Sequence, residues 1–256
     1  MKKAISKKYP RLNQISDTER VRMVKEIFST VTREYDFLNH FLSLRRDVSW
    51  RRFAVKKMRF PRTHRLLDVA TGTSDLAIET ALFYPDIQIL GLDFVKKMIE
   101  LGRKKIEKKD LSKKIKLVQG DALHIPAASE SFDAAAIAFG IRNMPRKIQV
   151  LQEMTRVVVP GGQILVLEMT LPRTPFLRRI YNTYLNMILP RIAHAFSPNH
   201  RAYYYLGDSI MDFSAAYDFA LLMRSAGLAD VETHSLSLGI TRLYIGYKPG
   251  KRSRVG

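Results

Sequence analysis

From about residue 64 the chain alternates short apolar runs with segments long enough for one helix each, and few architectures accept that pattern. The runs fall at 65–70, 87–93, 115–118, 132–139 and 163–168. Strands so spaced read as βαβ units, whose parallel sheet is covered on both faces and is therefore apolar throughout rather than alternating. Two further strands, 230–237 and 241–248, are joined by only a few residues around Gly239, a connection that permits antiparallel pairing alone. The expected fold is α/β: an open, doubly wound Rossmann-like sheet, mostly parallel, with an antiparallel C-terminal hairpin.

The helices are marked less evenly. Over 145–158, Pro145 suits a first turn and Ile148, Leu151, Met154 and Val157/Val158 recur at helical spacing, with Pro160-Gly161-Gly162 expected to stop the helix and turn into the next strand. A second helix is expected from about 213 to 226, with Asp212 as N-cap and Gly227 just past its end. Residues 18–60 read as a helical preface and 171–211 as an insertion rich in aromatics, including Phe176, Tyr181, Tyr184, Phe196, Tyr203, Tyr204 and Tyr205. Ligands in such sheets bind beyond the carboxyl ends of the strands, so an insertion leaving that edge is placed to cover a substrate. One domain over 18–248, with basic tails 1–17 and 249–256, is the expected organisation.

The sharpest local signal is Leu67-Asp68-Val69-Ala70-Thr71-Gly72-Thr73-Ser74-Asp75-Leu76, a small-residue turn between the first strand and a helix. Such a turn lets backbone approach a ligand, and the helix start offers N–H groups to a negative group. With Gly72 as its one glycine the loop fails the dinucleotide fingerprint, and no Gly-Lys-Ser/Thr follows to make a P-loop. It fits the turn of class I S-adenosylmethionine (SAM) methyltransferases, with Ala70, Gly72 and Ser74 at the small positions. Asp93 ends the second strand, where a carboxylate accepts from ribose hydroxyls, and Gly120-Asp121-Ala122 ends the third, where an Asp accepts from an adenine amino group. Acids at consecutive strand ends favour a cofactor carrying a nucleoside.

With these residues in view, the chain resembles the quinone-biosynthesis C-methyltransferases of the demethylmenaquinone / 2-methoxy-6-polyprenyl-benzoquinol methylase (UbiE/MenG) family. The resemblance covers roughly 20–248 and includes Tyr35-Asp36-Phe37-Leu38-Asn39, Trp50-Arg51, Ser131-Phe132-Asp133, Pro160-Gly161-Gly162, Leu167-Glu168 and, most distinctively, Phe139-Gly140-Ile141-Arg142-Asn143. It implies SAM as cofactor, with the family's contacts falling on Thr73, Asp93, Asp121, Ala122 and Ala138, the last through its backbone because it has no hydroxyl; Asp68 and Gly72 of the first turn complete the candidate cofactor site. Thr71 stands where many members carry glycine.

The resemblance further implies methyl transfer to a ring carbon of a polyprenylated quinol. With a phenol pKa near ~10, about one acceptor in a thousand is ionised at pH 7, a cost of about 4 kcal/mol that a base or a cation must offset. Arg142 is the candidate cation and Asn143 the candidate hydrogen-bonding partner of a quinol oxygen; the alternatives are a structural salt bridge for Arg142 and a helix cap for Asn143. His194 and His200, in the insertion, are candidate bases.

Composition narrows the remaining classes. Without cysteine there are no disulfides, thiolate metal sites or Cys nucleophile, and the six histidines are too scattered for a metal set. The net charge of +19 is concentrated, with +5 in residues 1–11, +8 in 45–65 and +7 in 96–116. Such an excess attracts polyanions, and for a lipid substrate the expected one is an anionic membrane surface met by 96–116 and the N-terminal tail. A cytoplasmic, peripherally membrane-associated protein is expected. No nucleic-acid partner is, because no Asp/Asn-Pro-Pro-aromatic segment follows the fourth strand. Methylation of another small phenol or lipid, a regulatory SAM-binding module and a homodimer all stay open.

Overall fold

The structure, a computed structural model, describes residues 15–29, 43, 45–189, 191, 201–216 and 218–250. Helices α1 (Asp17–Ser29) and α2 (Arg46–Lys56) precede the sheet. Then come β1 (Arg65–Val69), α3 (Asp75–Phe83), β2 (Gln88–Asp93), α4 (Lys96–Lys108), β3 (Ile115–Gln119) and β4 (Phe132–Ala138). A 3₁₀ turn (Ile141–Asn143) leads to α5 (Lys147–Val157) and β5 (Val158–Met169). Helix α6 (Pro175–Thr183) continues into a π turn (Tyr184–Ile188), followed by α7 (Arg201–Ala216), α8 (Phe219–Ser225), β6 (Ala229–Leu236) and β7 (Thr241–Tyr247).

The strands form one seven-stranded sheet in the order β3-β2-β1-β4-β5-β7-β6. The first five run parallel, while β7 enters between β5 and β6 and pairs antiparallel with both. The order reverses between β1 and β4, opening a crevice at their carboxyl ends, as doubly wound sheets do.

Both faces of the sheet are covered, which is why its strands carry no polar alternation. Adjacent residues of β1 point to opposite sides. Leu67 and Val69 pack with α5 and α8 through Leu151, Met154, Phe219 and Met223. Leu66 packs with α2 and α3 through Trp50, Ala54, Leu76 and Ala77. Asp133 is fully buried on β4 and accepts from the backbone N–H groups of Arg62, Thr63 and His64, fixing the entry into β1.

Two helix expectations are corrected. Asp212 caps nothing: it lies inside α7, where its carboxylate pairs with Arg20 of α1 at 3.3 Å, a partner too distant in sequence for local spacing to reveal. The cap of the last helix is Asp218, accepting from the Ala220 N–H at 3.1 Å, and Gly227 follows that helix at φ +91°. Pro160-Gly161-Gly162 lies within β5 instead of ahead of it, because backbone bonds to Lys248 carry the ladder through the bend. A Cβ at Gly162 would stand 2.5 Å from the Asp133 carbonyl oxygen, so only glycine fits there. Phe196, His194, His200 and most of both tails lie outside the described residues. Among the described residues no helix is long and apolar enough to cross a membrane.

Candidate active site

The turn after β1 takes left-handed backbone at Ala70, Gly72 and Ser74, with φ of 52°, 57° and 68°. At Gly72 a Cβ would meet nothing within 4 Å, so the backbone there borders open space rather than core. Two carboxylates hold this shape. Asp68 accepts from the Thr71 hydroxyl at 2.6 Å and from the backbone N–H of Ala77 in the first turn of α3, so the start of that helix is partly satisfied from within. Asp93 accepts from the Gly72 N–H and the Val95 N–H, each at 2.8 Å, tying the turn after β1 to the turn after β2. A carboxylate has about four acceptor positions, so Asp93 retains capacity for further donors.

Asp121, exposed just beyond β3, spends one oxygen on the Leu123 N–H at 2.9 Å. Ala122 is buried beside it, and Ala138 ends β4. All seven residues expected to hold the cofactor line one cavity, together with Arg142 and Asn143.

Arg142 and Asn143 are set by the 3₁₀ turn after β4 and are both buried. The Arg142 guanidinium donates to Glu168 Oε1 at 2.5 Å, to the Phe139 carbonyl at 2.7 Å and to Ser209 Oγ at 3.3 Å. Glu168, fully buried on β5, also accepts the backbone N–H groups of Arg142 and Met169. A buried ion pair of this kind coexists with the position of Arg142 in the cavity wall. Asn143 does not cap α5, whose N-cap is Arg146; its Oδ1 accepts from the Tyr205 hydroxyl at 3.0 Å. Arg20 of α1 reaches the carbonyl of Arg142 at 2.8 Å, so the first described helix is fastened to this turn.

Several residues of the site give little sign of themselves in the sequence. Lys105 of the basic α4 turns inward to the cofactor turn, donating to Thr73 Oγ1 at 3.1 Å and pairing with Asp75, which also faces Arg51 at 3.6 Å. Glu168 had a usable signal, a carboxylate near the carboxyl end of a parallel strand. Tyr205 stood out only as one aromatic among several in the insertion, and Arg20 had no signal; tertiary contact alone brings both to this turn.

The cavity measures about 1740 Å³, above the roughly 300–1,000 Å³ that suffices for one drug-sized ligand. Its polar end is formed by the turns after β1, β2 and β3. Its other end is apolar, with Met169, Ile180, Leu185, Ile188, Leu189 and Leu206 in the wall.

Burial, reinforced by the neighbouring charge of Asp93, pushes the Asp68 carboxyl up to about 7, and burial raises Asp93 as well. Unfolded, an Asp titrates near ~3.9. The folded chain therefore keeps the Asp68 proton after the unfolded chain has lost it, an advantage complete below about pH 4 and lost as pH rises to about 7. In Asp68→Asn the change in unfolding free energy between pH 5 and pH 8 shrinks by about 2–3 kcal/mol. Urea melts of the ligand-free protein at both pH values measure it, and an unchanged difference refutes the assignment.

Residues 13–248 match the model of the ubiE/COQ5 methyltransferase family. The chain is 41% identical over 232 residues to the ubiquinone/menaquinone biosynthesis C-methyltransferase UbiE of Geotalea daltonii, covering 90% of this chain and 98% of that one. It is 40% identical over 225 residues to a demethylmenaquinone methyltransferase of Deinococcus radiodurans, covering 88% and 92%. A crystal structure of a SAM-dependent methyltransferase from Thermotoga maritima shares the fold, with a TM-score of 0.60 at 21% identity over 87% of this chain and 98% of that one. On the match of nearly its whole length, the chain belongs to the ubiE/COQ5 methyltransferase family and is a methyltransferase.

Proposed function

We propose that the chain transfers a methyl group from SAM to a ring carbon of a polyprenylated quinol, a demethylmenaquinol or the benzoquinol of ubiquinone synthesis. The observation that carries this reading is the two-ended cavity, which joins strand-end carboxylates to an apolar arm. The names of the relatives from Geotalea and Deinococcus support the same class of acceptor.

The residues fit a nucleoside cofactor. Asp93 takes the ribose hydroxyls with its remaining acceptor capacity, and Asp121 with Ala122 takes the adenine edge. Thr73, Gly72 and the turn braced by Asp68 border the methionyl end, and Ala138 contributes backbone. Bound SAM supplies a methyl group already activated on a sulfonium. The work left to the chain is placement, which accounts for roughly 7–11 kcal/mol of a barrier when two reactants are held in line.

The acceptor must also be made nucleophilic. Arg142 is permanently charged and stands in the cavity wall, where it favours a phenolate to the extent that Glu168 leaves its charge uncompensated. With the Asn143 carbonyl engaged by Tyr205, the amide NH₂ is left to donate to a quinol oxygen. Such an acceptor resides in the bilayer, so the enzyme works as a cytoplasmic protein peripherally attached to the membrane. Incubation with methyl-labelled SAM and a membrane quinone extract tests the reading: label is expected in a methylated quinol. Label found only in a water-soluble phenol or in RNA rejects it.

A further inference from the structure

The apolar end of the cavity reaches the surface at a distinctive place. Phe176, Ile180 and Leu238 line the cavity yet are 70%, 53% and 75% exposed. Met187, half exposed, continues this surface beyond the cavity wall. Monomeric proteins seldom leave so many large apolar side chains together in water without a partner for them. Around them lie the exposed Arg173, Arg178 and Arg191, and residues 169–207 contain five arginines and no carboxylate. A helix with apolar side chains on one stripe and arginines beside it suits the boundary between headgroups and acyl chains.

The lysine-rich α4, to which the charge pattern pointed, is built differently. Its apolar residues Met98, Ile99 and Ile106 are buried, Met98 against Phe28 of α1, and every exposed residue of the helix is charged. It adds long-range attraction and has nothing to insert.

We propose that α6, its π turn and Leu238 form the face that seats on an anionic phospholipid bilayer. Phe176, Ile180 and Met187 enter the acyl boundary, the arginines meet phosphates, and the apolar arm opens directly into the membrane. The proposal rests on the reading of the acceptor as a bilayer quinol; a bilayer is chosen over a second copy of this chain because an arginine-only rim complements lipid phosphates and repels itself.

The natural absence of cysteine makes the test clean. Single cysteines placed by Met187→Cys on the proposed face and Lys104→Cys on α4 are labelled with a polarity-sensitive fluorophore. They are then mixed with phosphatidylcholine vesicles with and without phosphatidylglycerol. A blue shift at position 187 that requires phosphatidylglycerol, with none at 104, is expected. A shift at 104 alone, no shift at either, or a shift at 187 that follows protein concentration without vesicles overturns the face.

The double variant Arg178→Glu/Met187→Asp, at two sites outside the cavity wall, supplies a functional readout. Methylation of a long-chain quinol in anionic vesicles falls at least about tenfold, while a short-chain, water-soluble quinol is methylated at the wild-type rate. An unchanged vesicle rate overturns the docking face. Failure of the wild type to methylate either quinol overturns instead the reading of the acceptor.

Discussion

Asp93→Ala weakens SAM binding by at least about a hundredfold, measured calorimetrically with SAM or its demethylated product. Three losses coincide. The Gly72 and Val95 N–H groups each lose a carboxylate acceptor at 2.8 Å, and for Val95, which is buried, the unsatisfied donor costs about 1–3 kcal/mol. With Asp93 placed on the ribose as proposed, the ribose hydroxyls lose a charged acceptor, worth about 1.5–3 kcal/mol. A hundredfold corresponds to about 2.7 kcal/mol, which these losses exceed together even when the two turns relax. An affinity within threefold of wild type would show that the turns after β1 and β2 keep their shape without Asp93 and that the ribose lies elsewhere.

The second large effect separates holding the fold from promoting the reaction. Arg142→Leu strands the Glu168 carboxylate at a fully buried position and lowers stability by about 3–5 kcal/mol. Loss of activity in that variant alone therefore proves little. In Arg142→Leu/Glu168→Gln the buried charge is gone and a side-chain acceptor remains for a backbone N–H, so most of the stability returns. Methyl transfer at saturating SAM nevertheless stays down by at least about tenfold, because no cation borders the phenolate. Turnover that recovers along with the melting temperature would confine Arg142 to a structural role.

The fold was legible because its signals are local. Buried parallel strands declare themselves as apolar runs, and a few residues at Gly239 force the final hairpin. The strand-end acids Asp68, Asp93 and Asp121 were legible for a topological reason: parallel strands deliver their carboxyl ends to one edge. The same rule covers Glu168, which was passed over as a match to a family pattern, although its pairing with Arg142 organises the wall of the cavity. Lys105 was hidden by its company, one of ten basic residues in 96–116, most of which face solvent. Asp212 was misread because an acid ahead of an apolar run looks the same whether it caps a helix or pairs with Arg20 far away. Local spacing cannot distinguish those cases, since the deciding partner arrives only with tertiary structure.

The wall of the cavity draws on residues from Asp17 to Ile240, and the strand that seals the sheet beside β5 is the last of the seven. Contacts this far apart in sequence are the slowest for a polypeptide to make. During synthesis the pocket is thus the final thing to come into being, after the closing hairpin has left the ribosome. A chain cut short before Thr241 keeps every residue that lines the cavity but loses β7, which joins β6 to β5 and buries Leu243 and Ile245, so truncated products are expected to lose the fold, and activity with it.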